Sequence, residues 1–196
     1  MLEIVLATRN GDKIREIKKI LNDTNARFLS LEDFPGCPEV VEDGETLEAN
    51  AKKKALVVSQ YTKKLSLAED TGLEVESLGG APGIHSARFA GEEVTYEDNN
   101  RKLLKLMEKL PLEERRAKFR CVAALASPDG RVVTCEGLCE GIIALEMKGE
   151  SGFGYDPLFL LPEYGKTFAE LGEDIKNRIS HRAQALRKIK KIINKL

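Results

Sequence analysis

Residues 67–89, LAEDTGLEVESLGGAPGIHSARF, decide how this chain is read. Leu65-Ser66-Leu67-Ala68 is a short apolar run that reads as the end of a buried strand. It delivers two adjacent carboxylates, Glu69 and Asp70, followed by Thr71 and Gly72. Leu73 to Leu78 alternates as a second strand. Gly79-Gly80-Ala81-Pro82-Gly83 then forces a loop before His85, Ser86 and Arg88. Acids at the carboxyl end of a strand, followed by a glycine-rich turn, suit a site where a metal meets a phosphorylated ligand. A strand ending in a solvated polar turn would look the same in this segment by itself.

On the N-terminal side, Glu3 to Ala7 reads as a strand and Thr8-Arg9-Asn10-Gly11-Asp12 as a turn, with Thr8 or Asn10 capping the helix that follows. Ile14, Ile17, Ile20 and Leu21 share one face of that helix. Strand, polar loop and helix aim backbone N–H groups at an anion, and Lys13 could add a point charge, although the GxxxxGK[ST] spacing is absent. Phe28 to Phe34 reads as a short strand, and Glu39 to Glu45 as an acidic loop. Thr46 to Tyr61 reads as a helix packing Leu47, Ala51, Ala55, Val58 and Tyr61 inward. Asn50 and Lys54, four apart, share a face of it, while Lys52 and Lys53 read as solvated.

On the C-terminal side, Tyr96 to Leu110 is an amphipathic helix closed by Pro111. Ala117 to Ala126 and Val132 to Leu138 are strands joined by Ser127-Pro128-Asp129-Gly130, a hairpin signal, and Gly141 to Met147 extends the meander. Chemistry returns at residues 149–162, GESGFGYDPLFLLP, where glycines let the backbone approach a ligand. Phe153 and Tyr155 there suit stacking on a flat base, or a place in the core. Asp174 to Leu196 reads as one basic helix with Lys176, Ser180, His181 and Arg182 near its start.

The chain has 196 residues and a net charge of -1, so no global basic field draws it to nucleic acid or membrane, and any anion site must be local. No apolar run approaches a membrane span, and MLEIVLATRN lacks the basic-then-apolar plan of a signal peptide, so a cytoplasmic protein is expected. Cys37, Cys121, Cys135 and Cys139, with only two histidines in the chain, read as free thiols rather than a zinc site.

Four segments, taken together, resemble the inosine triphosphate pyrophosphatases, which clear non-standard purine nucleoside triphosphates. They are residues 6–13 (LATRNGDK), 68–91 (AEDTGLEVESLGGAPGIHSARFAG), 152–159 (GFGYDPLF) and 179–186 (ISHRAQAL). They stand in the family's order and span essentially the whole chain. The resemblance implies a mixed α/β fold over residues 1–196, an elongated central sheet with flanking helices, forming a single domain of two lobes around a cleft that holds the active site. It also implies a homodimer, a purine nucleoside triphosphate as the partner molecule, and Mg²⁺-dependent hydrolysis of the α–β phosphate bond to a monophosphate and pyrophosphate.

Carried over by position, Thr8, Arg9, Asn10, Gly11, Asp12 and Lys13 form the phosphate-binding turn, and Lys54 is a second phosphate contact. The resemblance makes Asp70 the expected proton acceptor and a metal ligand, and Thr71 an expected substrate contact. Phe153, Gly154, Tyr155, Asp156, Lys176, His181 and Arg182 bind the nucleoside. The family's other acidic ligand lies three residues before the glycine matched by Gly44, where this chain has Val41; Glu42 is the expected substitute, with Glu39 as the alternative. Because adjacent strand residues point to opposite faces, Asp70 rather than Glu69 is placed at the site. A related pyrophosphatase of modified pyrimidine nucleotides and a non-hydrolysing nucleotide sensor are the rival readings.

Overall fold

The computed structural model describes residues 1–196. Its strands are β1 (Leu2–Leu6), β2 (Ala26–Leu29), β3 (Leu65–Val75), β4 (Pro82–Gly83), β5 (Arg116–Ala126), β6 (Val132–Ile143), β7 (Phe159–Leu161) and β8 (Lys166–Thr167). Its helices are α1 (Gly11–Ile20), α2 (Leu47–Thr62), α3 (Tyr96–Leu106), α4 (Phe168–Leu171), α5 (Glu173–Ile179) and α6 (His181–Ile193). The strands form one mixed sheet of 8 strands in the order β2-β1-β3-β5-β6-β7-β8, with β4 paired to β3. β1 runs parallel to both β2 and β3, whereas β7 is antiparallel to β6 and β8. A turn in which Ser127 N–H donates to the Arg131 carbonyl joins β5 to β6, a connection so short that the two neighbours can only be antiparallel.

The chain forms two compact units. The first comprises Met1–Asp70, Cys121–Gly137 and His181–Leu196. Its core gathers Ile4, Leu6 and Leu67 from the sheet, Ile17 and Leu21 from α1, and Leu186, Ile189 and Ile193 from α6. Strand alternation accounts for this: Ile4 and Leu6 on β1 and Leu67 on β3 face α1 and α6, so Val5 faces the other way, where α2 packs on β1. The second unit comprises Thr71–Arg120 and Leu138–Ser180. Leu73, Val75, Leu103 and Met107 pack there with the rings of Phe119, Phe159 and Phe168, whose centroids lie 4.6 to 6.3 Å apart.

Several expected boundaries move. β3 does not stop before the acids and restart; it runs from Leu65 to Val75 through both, because each acid finds partners on its own face. Residues 76–78 are a 3₁₀ turn instead of strand. β2 ends at Leu29, not Phe34, since Ser30 starts a new turn: its hydroxyl accepts from Glu32 N–H while its own N–H donates 2.8 Å to Asp33. α3 stops at Leu106, four residues before the expected end. Tyr61 does not pack inward; it is 46% exposed.

The largest correction is at the C-terminus. The single helix expected from Asp174 to Leu196 is two, broken at Ser180, which adopts extended backbone (φ -65, ψ 161). Serine favours helix boundaries but is tolerated inside helices, and helical periodicity on both sides masked the boundary signal. Lys176 thereby belongs to the second unit, and His181 and Arg182 to the first. The four cysteines are free thiols; Cys37, Cys121 and Cys139 are buried.

Candidate active site

In the first unit, α1 opens at Asn10, whose side-chain oxygen accepts from the N–H groups of Asp12 (3.0 Å) and Lys13 (3.1 Å). Thr8 supports this cap, its hydroxyl accepting from Asn10 N–H at 3.2 Å. Arg9 donates to the Cys37 carbonyl at 3.3 Å, and Asp12 pairs with Arg15. Gly11 and Arg9 are exposed. The expected phosphate turn is thus a capped helix start with Lys13 one turn inside it.

Alternation along β3 sends its two acids to opposite faces. Glu69 shares the face of Leu67, toward α1 and α6, and is 1% exposed. Its carboxylate lies 2.8 Å from Lys13 Nζ and 3.3 Å from Arg182, and it accepts from Cys121 Sγ at 3.2 Å. The other end of the Arg182 guanidinium meets Glu16 at 2.5 Å. Lys13, Glu69, Arg182 and Glu16 therefore form a neutral chain of alternating charge, of which only Lys13 has appreciable exposure, 19% of its side chain. Burial presses on the charge of Lys13, yet Glu69 outweighs it and leaves the ammonium more firmly protonated than usual. The same holds for Arg182 between Glu69 and Glu16.

Asp70 emerges on the opposite face, beneath α2. Lys54 Nζ donates to Glu42 Oε1 at 2.6 Å, to the Glu69 carbonyl at 2.9 Å and to Asp70 Oδ1 at 3.2 Å. Asn50, one turn earlier on α2, donates 3.2 Å to Asp70 Oδ2, while its own oxygen accepts from Gly44 N–H at 2.7 Å. Gly44 has to be glycine for this: a Cβ there would lie 2.6 Å from the Asn50 oxygen. Asn50 thus ties the acidic loop to the carboxylate on β3. Burial pushes the Asp70 carboxyl above its ordinary value, with Glu42 and Glu69 adding to the push and Lys54 and Lys13 opposing it.

Glu42 and Asp70 converge on one ammonium, so both can reach a single cation, and their hard oxygen donors are of the kind Mg²⁺ takes alongside phosphate oxygens. Val41 is 68% exposed and Glu39 is exposed, so of the acids considered for the second ligand only Glu42 lies with Asp70. The residues fit the ion.

In the second unit, residues 151–156 wrap around the Asp156 carboxylate. It accepts from Phe153 N–H at 2.8 Å and pairs with Lys176 Nζ at 2.5 Å, with both side chains 2% exposed. Gly152 (φ +79) permits the wrap, since a Cβ there would lie 2.1 Å from the Asp156 oxygen. Lys176 also lies over the Phe153 ring, 4.4 Å from its centroid, and the ring centroids of Tyr96 and Phe153 are 5.9 Å apart. Asn100 of α3 donates to the Gly154 carbonyl at 2.9 Å. Phe153 is half-buried. Tyr155 is core: 5% exposed, its hydroxyl donates to the Ser86 carbonyl at 2.8 Å. Thr71, the next residue on β3, is half-buried.

The structure brings together Asp70, Lys54 and Glu42; Lys13 and Arg182; and Phe153, Asp156 and Lys176. Glu16, Asn50 and Glu69, which the sequence did not assign to the site, partner its candidate residues; in the sequence, strand facing sets Glu69 aside and Asn50 shows only as sharing a face with Lys54. Spacing held a hint for two of them, since Glu16 sits one turn from Lys13 and Asn50 one turn from Lys54.

The lineage of this chain is plain: residues 4–192 match the family model of the Ham1 family, to which it belongs. It is 53% identical over 195 residues to the dITP/XTP pyrophosphatase of Desulforamulus reducens, covering 100% of this chain and 97% of that protein. The corresponding protein of Geobacter sulfurreducens is 50% identical over 190 residues, covering 97% and 96%. Among solved structures, the HAM1 protein from Coxiella burnetii superposes with a TM-score of 0.91 at 38% identity over 100% of both chains. The Staphylococcus aureus Ham1 protein gives 0.87 at 38% identity over 98% of both. The family resemblance carried by the four sequence segments and the mixed α/β fold are both borne out.

Proposed function

We infer that this chain hydrolyses non-standard purine nucleoside triphosphates (ITP, dITP and XTP) to the monophosphate and pyrophosphate. The observation that carries the reading is full-length identity of 53% and 50% to relatives named dITP/XTP pyrophosphatases. The assignment of residues is our proposal, supported by the geometry above. Lys13 and Lys54 take charge from the triphosphate; in the free protein their ammonium groups are paired with carboxylates, Lys13 with Glu69 and Lys54 with Glu42 and Asp70. Asp70 takes the proton of the attacking water at one of its carboxylate oxygens as the α–β phosphoanhydride breaks and pyrophosphate leaves. Asp70 and Glu42 would hold Mg²⁺, which supplies charge neutralisation to the phosphates when bound.

On the nucleoside side, Phe153 stacks on the base, Lys176 and nearby N–H groups donate to the C6 oxygen, and Asp156 keeps Lys176 in place. Adenine presents a donor at C6 and would leave such groups unpaired, the kind of mismatch that gives strong rejection. His181 and Arg182 are carried as further nucleoside contacts, Arg182 held by Glu16 and Glu69. No helix is long and apolar enough to cross a membrane. We extend the reading to a cytoplasmic homodimer that acts as one two-lobed domain and binds no nucleic acid.

The deciding experiment measures pyrophosphate release from dITP, ITP, XTP, ATP and GTP with Mg²⁺ present or chelated. Preference for the first three with Mg²⁺ is expected. Equal kcat/KM for ATP and ITP would overturn the reading.

A further inference from the structure

An ammonium group has three donors and no acceptor. Lys54 uses its three on Glu42, Asp70 and the Glu69 carbonyl, at 2.6, 3.2 and 2.9 Å, and its side chain is only 10% exposed. A lysine so engaged has no donor left for a phosphate. To contact one it must release an acceptor, and two of its three acceptors are the carboxylates assigned to the divalent ion. The carboxylates cannot serve both cations at close range, because like charges a few ångströms apart repel strongly in a partly buried site.

We propose that Lys54 is the ion's internal competitor: it holds Glu42 and Asp70 together, then gives them up to a divalent ion and turns its ammonium to the phosphates. The inference rests on reading Asp70 and Glu42 as the ion's ligands. Asn50 makes the exchange workable, since its bonds to Gly44 N–H and Asp70 keep the acidic loop and β3 in register whichever cation is present. By reciprocity, whatever draws Lys54 away from the carboxylates tightens the ion, and the ion frees Lys54 for phosphate. Ion and triphosphate then bind with positive coupling, and the ion alone binds weakly.

The test needs no turnover. Calorimetric titration of Mn²⁺ or Mg²⁺ into the nucleotide-free protein is compared between wild type and Lys54→Met. Removing the competing charge is expected to tighten the ion by about tenfold or more. Unchanged or weaker ion affinity in Lys54→Met would overturn the proposal, the latter by showing that the lysine only braces the ion's ligands. A second measurement uses wild type alone and guards against a variant that folds poorly. Acylation of Lys54 by an amine-reactive reagent, read by peptide mass, should accelerate when Mg²⁺ is added, with Lys52 and Lys53 unaffected. Equal protection with and without Mg²⁺ would also overturn it. Neither readout depends on base preference, so failure here is distinct from failure of the nucleotide panel.

Discussion

The two units handle buried charge in opposite ways. The first sets cations and anions in alternating contact: Lys13, Glu69, Arg182 and Glu16 on one face of β3, and Glu42, Lys54 and Asp70 on the other. The second holds one buried ion pair, Asp156 with Lys176, and surrounds it with rings and glycine backbone. A highly charged ligand cannot be met by bare cations in a folded protein, since each would be costly to desolvate. On the proposed reading, carboxylates hold the cations in advance and binding is an exchange of partners. A flat, nearly neutral base asks for the reverse: a fixed ring and a few immobile donors.

The sharpest way to break this contrast is at Asp70. Asp70→Asn should lower kcat by about 10²–10⁴-fold, the range for loss of a general base, while the protein still folds, because Asn50 and Lys54 retain other partners. A steady-state assay with circular dichroism decides it, and retained turnover would move the chemistry elsewhere.

Next in size is the cost of leaving anions stranded. Arg182→Ala strips two buried carboxylates of a partner and should cost about 3–5 kcal/mol in urea unfolding. Lys176→Ala strips one, which keeps its bond from Phe153 N–H, and should cost less. A larger loss for Lys176→Ala would invert the contrast between the units.

Smaller again is the phosphate grip. Lys13→Ala and Lys54→Ala should each lower kcat/KM by about tenfold or more, the worth of one charge-assisted contact. Lys52 and Lys53 pair only with exposed acids, Glu48 and Asp43, and serve as controls. Equal effects across all four lysines would show that exchange of partners is not what Lys54 contributes.

The smallest effect is expected from an ordinary ion cluster. Glu74 lies near Lys118 (3.1 Å) and Arg120 (2.9 Å), and although burial pushes its carboxyl up, the two cations win and hold it below the usual range. A depressed carboxyl stabilises the fold above its unfolded pKa and loses that contribution as pH falls through the folded value. Glu74→Gln should therefore cost about 0.5–1 kcal/mol at neutral pH and converge with wild type in acid below the usual carboxylate range. Thermal melts across pH measure it, and a gap that persisted in acid would mean that Glu74 acts by packing instead.

Much of the candidate site's layout was legible because it is local. Four-residue spacing put Asn50 and Lys54 on one face of α2, and two-residue alternation separated Glu69 from Asp70. What stayed hidden is non-local. Arg182 reaches Glu16 across 166 positions and Glu69 across 113, and no pattern within a helix or strand registers such a partner. A buried Glu16 read from α1 alone is just another polar residue near a lysine. The break at Ser180 was hidden for a different reason: apolar spacing continues on both sides, and serine fits a helix or its end. Tyr155 and Phe153 look equivalent in sequence, and only packing sends one to the core and leaves the other beside Lys176.

The division of the chain has a consequence for anyone who would cut or recombine it. The first unit is stitched from three stretches and the second from two, so the backbone passes between them after residues 70, 120, 137 and 180. No single gene fragment encodes either one. A chain cut after Asp70 would carry β1, α1, α2 and Asp70 itself, yet lack the α6 residues Leu186, Ile189 and Ile193 that close its core. Lineages that exchange modules by recombination would find no clean joint here. Changes to either unit must instead arrive within the interleaved stretches, inherited together as one reading frame.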